Sequence, residues 1–131
     1  MSHQEIKDQI IDIISNWDGV EVSPHRFGGI EFRLDKREIG HLHGHRQADL
    51  PFPIRLRRAL VSAGRCEAHD LLPDTGWVSY RIRSENDVPA VIDLFRMNYD
   101  RLRGSWPRAT ARPVMGNATL IADRVMDDLP A

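Results

Sequence analysis

A chain of 131 residues that is 41% hydrophobic and 28% charged, with a single cysteine, has the composition of an ordinary globular protein and enough length for a real core. It holds no apolar run of about 18 residues or more, and its polar, acidic start "MSHQEIKDQIID" is unlike a signal peptide, so neither a membrane span nor a leader is expected. The net charge of -1 is spread unevenly, at -4 over residues 1–25, +4 over 26–83 and -1 over 84–131, and so small a regional excess does not mark a nucleic-acid binder.

Ser2 and Glu5 form a capping box, and Ile6, Ile10, Ile13, Ile14 and Trp17 follow at helical spacing, which predicts a helix over about 3–17 ended by Asp18-Gly19. Short alternating segments come next: "VEVSPH" (20–25), "GGIEFRLD" (28–35) and "REIGHLHG" (37–44). Asp35-Lys36 is weaker hairpin chemistry than Asn-Gly, which leaves open a longer loop. In a regular two-residue hairpin Leu34 faces Arg37, Arg33 faces Glu38, Phe32 faces Ile39 and Ile30 faces His41. That register puts His41 and His43 on the apolar face with Phe32 and Ile39, and so predicts a packed, neutral His41 with a pKa below about 6.5.

Pro51 and Pro53 in "ADLPFP" predict an extended lead into a helix whose inner stripe is Ile54, Leu56, Leu60 and Ala63, stopped by Gly64. Arg55, Arg57 and Arg58 read as a solvated face. "CEAHDLLPDTGWVSYRIR" reads as two strands around a Pro-Asp-Thr-Gly turn. Ser84 and Asp87 cap a long helix with Val88, Val91, Ile92, Phe95, Tyr99 and Leu102 inward. The expected fold class is therefore α+β: an antiparallel sheet of four to five strands with helices mainly on one face, in the order α-β-β-β-α-β-β-α. One domain spans 1–104, and 105–131 form a loop and a short helix, capped by Asn117, appended to it.

The strings "PHRFGGIEFRL", "EIGHLHG", "ADLPFP" and "GWVSYRI", spread over about residues 20–103, resemble a bacterial family labelled luciferase-like. What the resemblance implies about function is thin, since the family's biochemical role is not established. The flavin-dependent luciferase fold is a large barrel that a chain of this length cannot form. The order of hairpins, "GWVSYRI" and a final helix is also similar in topology to the MmcQ/YjbR-like domains, small α+β proteins sometimes described as DNA-binding.

The His-x-His of "EIGHLHGH" is the strongest candidate for chemistry, because imidazoles at i and i+2 on one strand face can chelate one ion. The candidate metal ligands are His41, His43, His45 and His69, with His25 or Asp70 as further choices for the third position. A transition metal is compatible with this set without being the favoured reading, and no other cofactor is indicated. Gly28-Gly29 lacks any nucleotide-loop pattern, and Ser79 lies outside a G-x-S-x-G elbow. The favoured reading is a cytoplasmic module that binds a small molecule or a protein, with a histidine-lined pocket formed by His41, His43, His69, Arg26, Glu38 and Trp77. The alternatives are a metal-dependent enzyme using His41 and His43, and a nucleic-acid-binding module, the latter not expected from the charge. A homodimer is compatible with either binding reading, and the lone Cys66 reads as a small buried apolar group in a reducing compartment.

Overall fold

The computed structural model describes residues 2–25, 28–69 and 75–104. The alternation of apolar and polar residues from Val20 onward produces a six-stranded, fully antiparallel sheet, and the 3.6-residue stripes produce the helices that cover it. In chain order these are α1 (His3–Ser15), β1 (Val20–Pro24), β2 (Ile30–Leu34), β3 (Arg37–His43), β4 (Gln47–Pro51), α2 (Ile54–Ser62), β5 (Glu67–Ala68), β6 (Trp77–Arg81) and α3 (Val88–Leu102). The strands lie in the order β1-β2-β3-β4-β6-β5. The α+β class, the antiparallel sheet and the alternation of helices with strands agree with the sequence.

The strand count differs. Residues 47–51 form β4, in the middle of the sheet between β3 and β6. Its Pro51 sits at the last ladder position, opposite Trp77, where a missing N–H costs least. Prolines at 51 and 53 concealed this strand in the sequence.

The capping box at Ser2 forms as expected, with the Glu5 amide donating to Ser2 Oγ at 3.1 Å. So does the one at Ser84 and Asp87, which sits on a single 3-10 turn (Glu85–Asp87) leading into α3. One hydrophobic core joins Ile6, Ile10 and Ile14 of α1, Leu56 and Leu60 of α2 and Val91, Phe95 and Tyr99 of α3 to Phe32, Leu42, Leu50 and Val78 of the sheet. The inner stripe of α2 is narrower than its pattern implied: Ile54 is exposed, as is Ala63. Cys66 is free and buried, and burial pushes its thiol up to about 12, so it behaves as an apolar filler rather than a nucleophile.

The turn at Asp35-Lys36 is a two-residue one, with both residues at positive φ (51° and 69°), the geometry that matches strand twist in a tight hairpin. Leu34 pairs with Arg37 and Arg33 with Glu38, as a regular hairpin requires. Then the register shifts: Phe32 pairs with Gly40, Glu31 with His41 and Ile30 with Leu42. Ile39 is thus an extra residue on β3, a β-bulge. The expectation that His41 opposes Ile30 on the apolar face is overturned by that one insertion, because a one-residue slip moves every later side chain to the other face. The bulge is anchored from the helix layer, where the buried Asn98 amide donates to the Ile39 carbonyl at 2.8 Å.

Among the described residues, no helix is long and apolar enough to cross a membrane. Arg26 and Asp70 lie outside the described residues, as do Pro73 and Asp74 of the expected Pro-Asp-Thr-Gly turn and the whole of the expected tail with its Asn117-capped helix.

Candidate metal centre

The sheet face opposite the core is polar at its centre, and the register explains why. Glu31 of β2 pairs with His41 of β3, His41 with Asp49 of β4, and Asp49 with Ser79 of β6, so four polar side chains form a row across four strands. His43 and Gln47 form the neighbouring pair. Glu38, before the bulge, and His41, after it, share this face although they are three residues apart.

Asp49 is the hub. It is fully buried. Its Oδ1 accepts from Ser79 Oγ at 2.7 Å and from Gln47 Nε2 at 3.0 Å. Its Oδ2 turns to the histidines, with His43 Nε2 at 2.8 Å, His41 Nε2 at 3.3 Å and His69 Nε2 at 3.4 Å. On the far side of the His41 ring, Nδ1 lies 2.6 Å from Glu38 Oε2. The His25 ring stacks on His41 at 4.0 Å, and Trp77 flanks both His41 (5.5 Å) and His69 (6.2 Å).

The site carries perturbed protonation states. Burial alone would push His41 down, but the Asp49 and Glu38 carboxylates on either side of the ring overcome it and take the imidazole up to about 9. The expectation of a depressed value assumed an apolar face and is wrong for that reason. Burial would likewise raise Asp49, yet contacts with His41, Ser79, Gln47 and His43 hold it well below the usual carboxylate range.

Proton counting shows what this arrangement wants. His41 Nε2, His43 Nε2 and Asp49 Oδ2 form a triangle with sides of 3.2, 2.8 and 3.3 Å. Each Nε2 carries at most one proton. If both carry one, two N–H groups oppose each other across the 3.2 Å side; if either lacks one, its lone pair faces the carboxylate. With Asp49 ionised, as its lowered pKa requires, no assignment of protons makes all three contacts favourable. A cation at the centre does.

The dimensions fit as well. Zinc holds nitrogen and oxygen ligands at about 2.0–2.2 Å, which puts tetrahedral ligands roughly 3.3–3.4 Å apart and an ion ~1 Å above a triangle of this size. Among the described residues, His41, His43 and Asp49 form one set of three whose ligand atoms are mutually close, and His25, Glu38 and His41 form another. In the first set Glu38 supports its ligand: a carboxylate at Nδ1 fixes the tautomer that frees the His41 Nε2 lone pair.

Of the residues picked out from the sequence, His41, His43, His69, Glu38 and Trp77 come together on this face. His45 does not: its ring stacks on His3 at 4.0 Å, away from the cluster. Ser79 was weighed only as a hydrolase nucleophile, and Asp49 and Gln47 were missed. Their signal was the polar alternation Gln47-Ala48-Asp49-Leu50, legible only once residues 47–51 are recognised as a strand.

Residues 36–98 match the family model described as Luciferase domain. The matched stretch is narrower than the resemblance read from the sequence, but it contains Glu38, His41, His43, Asp49, His69, Trp77 and Ser79. No curated protein and no solved structure matches the chain.

Proposed function

We propose that this chain is a ligand-binding module whose ligand is a divalent transition-metal ion, held by His41 Nε2, His43 Nε2 and Asp49 Oδ2 on the polar face of the sheet. The carrying observation is the triangle of 2.8, 3.2 and 3.3 Å, which no placement of protons satisfies while Asp49 is ionised. Two imidazoles and one carboxylate suit zinc, and equally the ferrous ion of two-histidine, one-carboxylate sites. Glu38 orients His41; Ser79 and Gln47 hold the Asp49 carboxylate so that Oδ2 faces the ion. A cytoplasmic setting accords with the lone, inert Cys66, and small molecules or a protein partner reach the site from the His43 side, the most exposed of the three ligands.

The test is elemental analysis of untagged protein. About one equivalent of zinc, iron or another first-row metal is expected, and His43→Ala and Asp49→Asn should each lose it. A metal present at 100 times its Kd should stabilise the fold by about 2.7 kcal/mol. Metal-free protein that shows no thermal shift with zinc, ferrous iron, nickel or manganese overturns the reading and leaves the imidazolium of His41, clamped between Glu38 and Asp49, as the state of the site.

A further inference from the structure

We infer that the ion held by His41, His43 and Asp49 keeps one coordination position open on the His43 side, taken by water and exchangeable for a small anion. The inference rests on the metal reading above and concerns only what completes the coordination sphere.

Three observations carry it. The first is the supply of ligands. Among the described residues, the set with mutually close ligand atoms stops at these three. The second set, His25, Glu38 and His41, uses the opposite side of the His41 ring, where Nδ1 meets Glu38, and adds nothing to an ion at Nε2. His69 Nε2 touches the same Asp49 oxygen at 3.4 Å but belongs to neither set. Gln47 and Ser79 are engaged with the other carboxylate oxygen. A structural zinc site is closed by four protein ligands, whereas three leave a vertex for water or substrate.

The second observation is exposure. The Asp49 side chain is 0% exposed and that of His41 7%, while His43 is 37% exposed. Solvent therefore meets the ligand triangle at one corner. The third is charge. A divalent cation with two neutral imidazoles and one carboxylate keeps about +1 within its own coordination sphere, and the Glu38 carboxylate lies on the far side of the His41 ring, so the ion itself still attracts an anion in this partly buried place. The ligand class is thus a small monodentate anion: hydroxide, azide, formate or the anionic head of a larger molecule.

Cobalt(II)-substituted full chain titrated with sodium azide tests the idea, read from the visible d–d bands. A saturable spectral change is expected. His69→Ala should bind cobalt within about threefold of the parent and keep the azide response, whereas His43→Ala should lose roughly 100-fold or more in cobalt affinity. Cobalt that binds tightly but ignores azide, or a loss in His69→Ala as large as that in His43→Ala, overturns the open position and makes His69 the fourth ligand. Failure of the parent to take up cobalt at all strikes instead at the metal reading, so the two ideas fail differently.

Discussion

Raising the pH of metal-free protein from 6.5 to 9 should lower its stability chiefly through one group, His41. The imidazole is 7% exposed and lies between Glu38 at 2.6 Å and Asp49 at 3.3 Å. Its pKa rises from the ordinary 6.5 to about 9, so the folded state holds the proton more tightly than the unfolded state does. The stability linked to that proton is fully present below pH 6.5, declines between 6.5 and 9, and is gone above. At ~1.36 kcal/mol per pH unit the ceiling is roughly 3 kcal/mol. Water reaches the cluster beside His43, which screens the pairs and makes about 2 kcal/mol a better working figure. With a urea slope of about 2 kcal/mol per molar, the midpoint should fall by about 1 M between pH 6.5 and 9. Urea melts in EDTA at half-unit steps of pH provide the assay, and His41→Gln should flatten the profile over this window. Tyr80 and Cys66, each pushed up to about 12 by burial first of all, add a loss of the same sign only from about pH 9 upward, where the unfolded thiol and then the unfolded phenol ionise, so the His41 window lies below them. A midpoint that is flat or rising in the parent from pH 6.5 to 9 refutes the clamp.

Because a proton and a metal compete for His41 Nε2, zinc affinity measured against a chelator should weaken about tenfold per unit as pH falls from 9 to 7; a flat profile rules His41 out as a ligand. Asn98→Leu strands the buried Ile39 carbonyl and should cost about 1–3 kcal/mol in urea melts, with zinc affinity falling too; a neutral change would show that the bulge holds without it. Lys36→Gly relieves a non-glycine residue at φ 69° and should raise stability by about 1 kcal/mol, where a loss would contradict the turn geometry. Gly40→Ala places a Cβ 2.8 Å from Phe95 and 2.9 Å from both Leu50 and the Asp49 carbonyl, and should cost about 1–3 kcal/mol by the same melts; wild-type stability would mean that β3 and β4 can part there.

Local signals carried most of the fold. The capping boxes at Ser2 and Ser84, the isoleucine stripe of α1 and the alternation in β2 and β6 each act within a few residues, and each is realised. Features that depend on partners distant in sequence were not legible. Nothing near residues 47–51 announces a central strand, since its evidence is pairing with His41 on one side and with Ser79, thirty residues on, at the other. The same holds for Asp49: its role comes from Ser79, His43 and His69 meeting it in space. His41 and His43 could be picked out because their spacing is local, and Trp77 and His69 only as residues of the right type. The charge pair expected between Arg33 and Glu38 shows the limit of cross-strand reasoning: the two are opposite each other, but Arg33 bonds Glu31 at 2.9 Å while Glu38 is drawn to His41.

The bulge at Ile39 is where fold and chemistry meet. In an uninterrupted strand, residues three apart point to opposite faces, so Glu38 and His41 could not touch. The extra residue puts both on the polar face, 2.6 Å apart, while Ile39 and Leu42 stay in the core. Without it His41 and His43 would point at α3, where Phe95 already packs edge-on against Phe32 at 5.4 Å. The bulge's carbonyl is not left to the ladder, because Asn98 of α3 takes it, and Arg101 in turn donates to Asn98 Oδ1 at 2.9 Å. A polar side chain in the helix layer thus stabilises an irregularity in the sheet, and the irregularity turns the His-x-His toward Asp49. Such a device specifies the position of side chains at some cost to regular pairing. For a strand whose only task was to fill a core, the uninterrupted register would have been the more stable one; the bulge makes sense as the means of building the His41, His43 and Asp49 triangle.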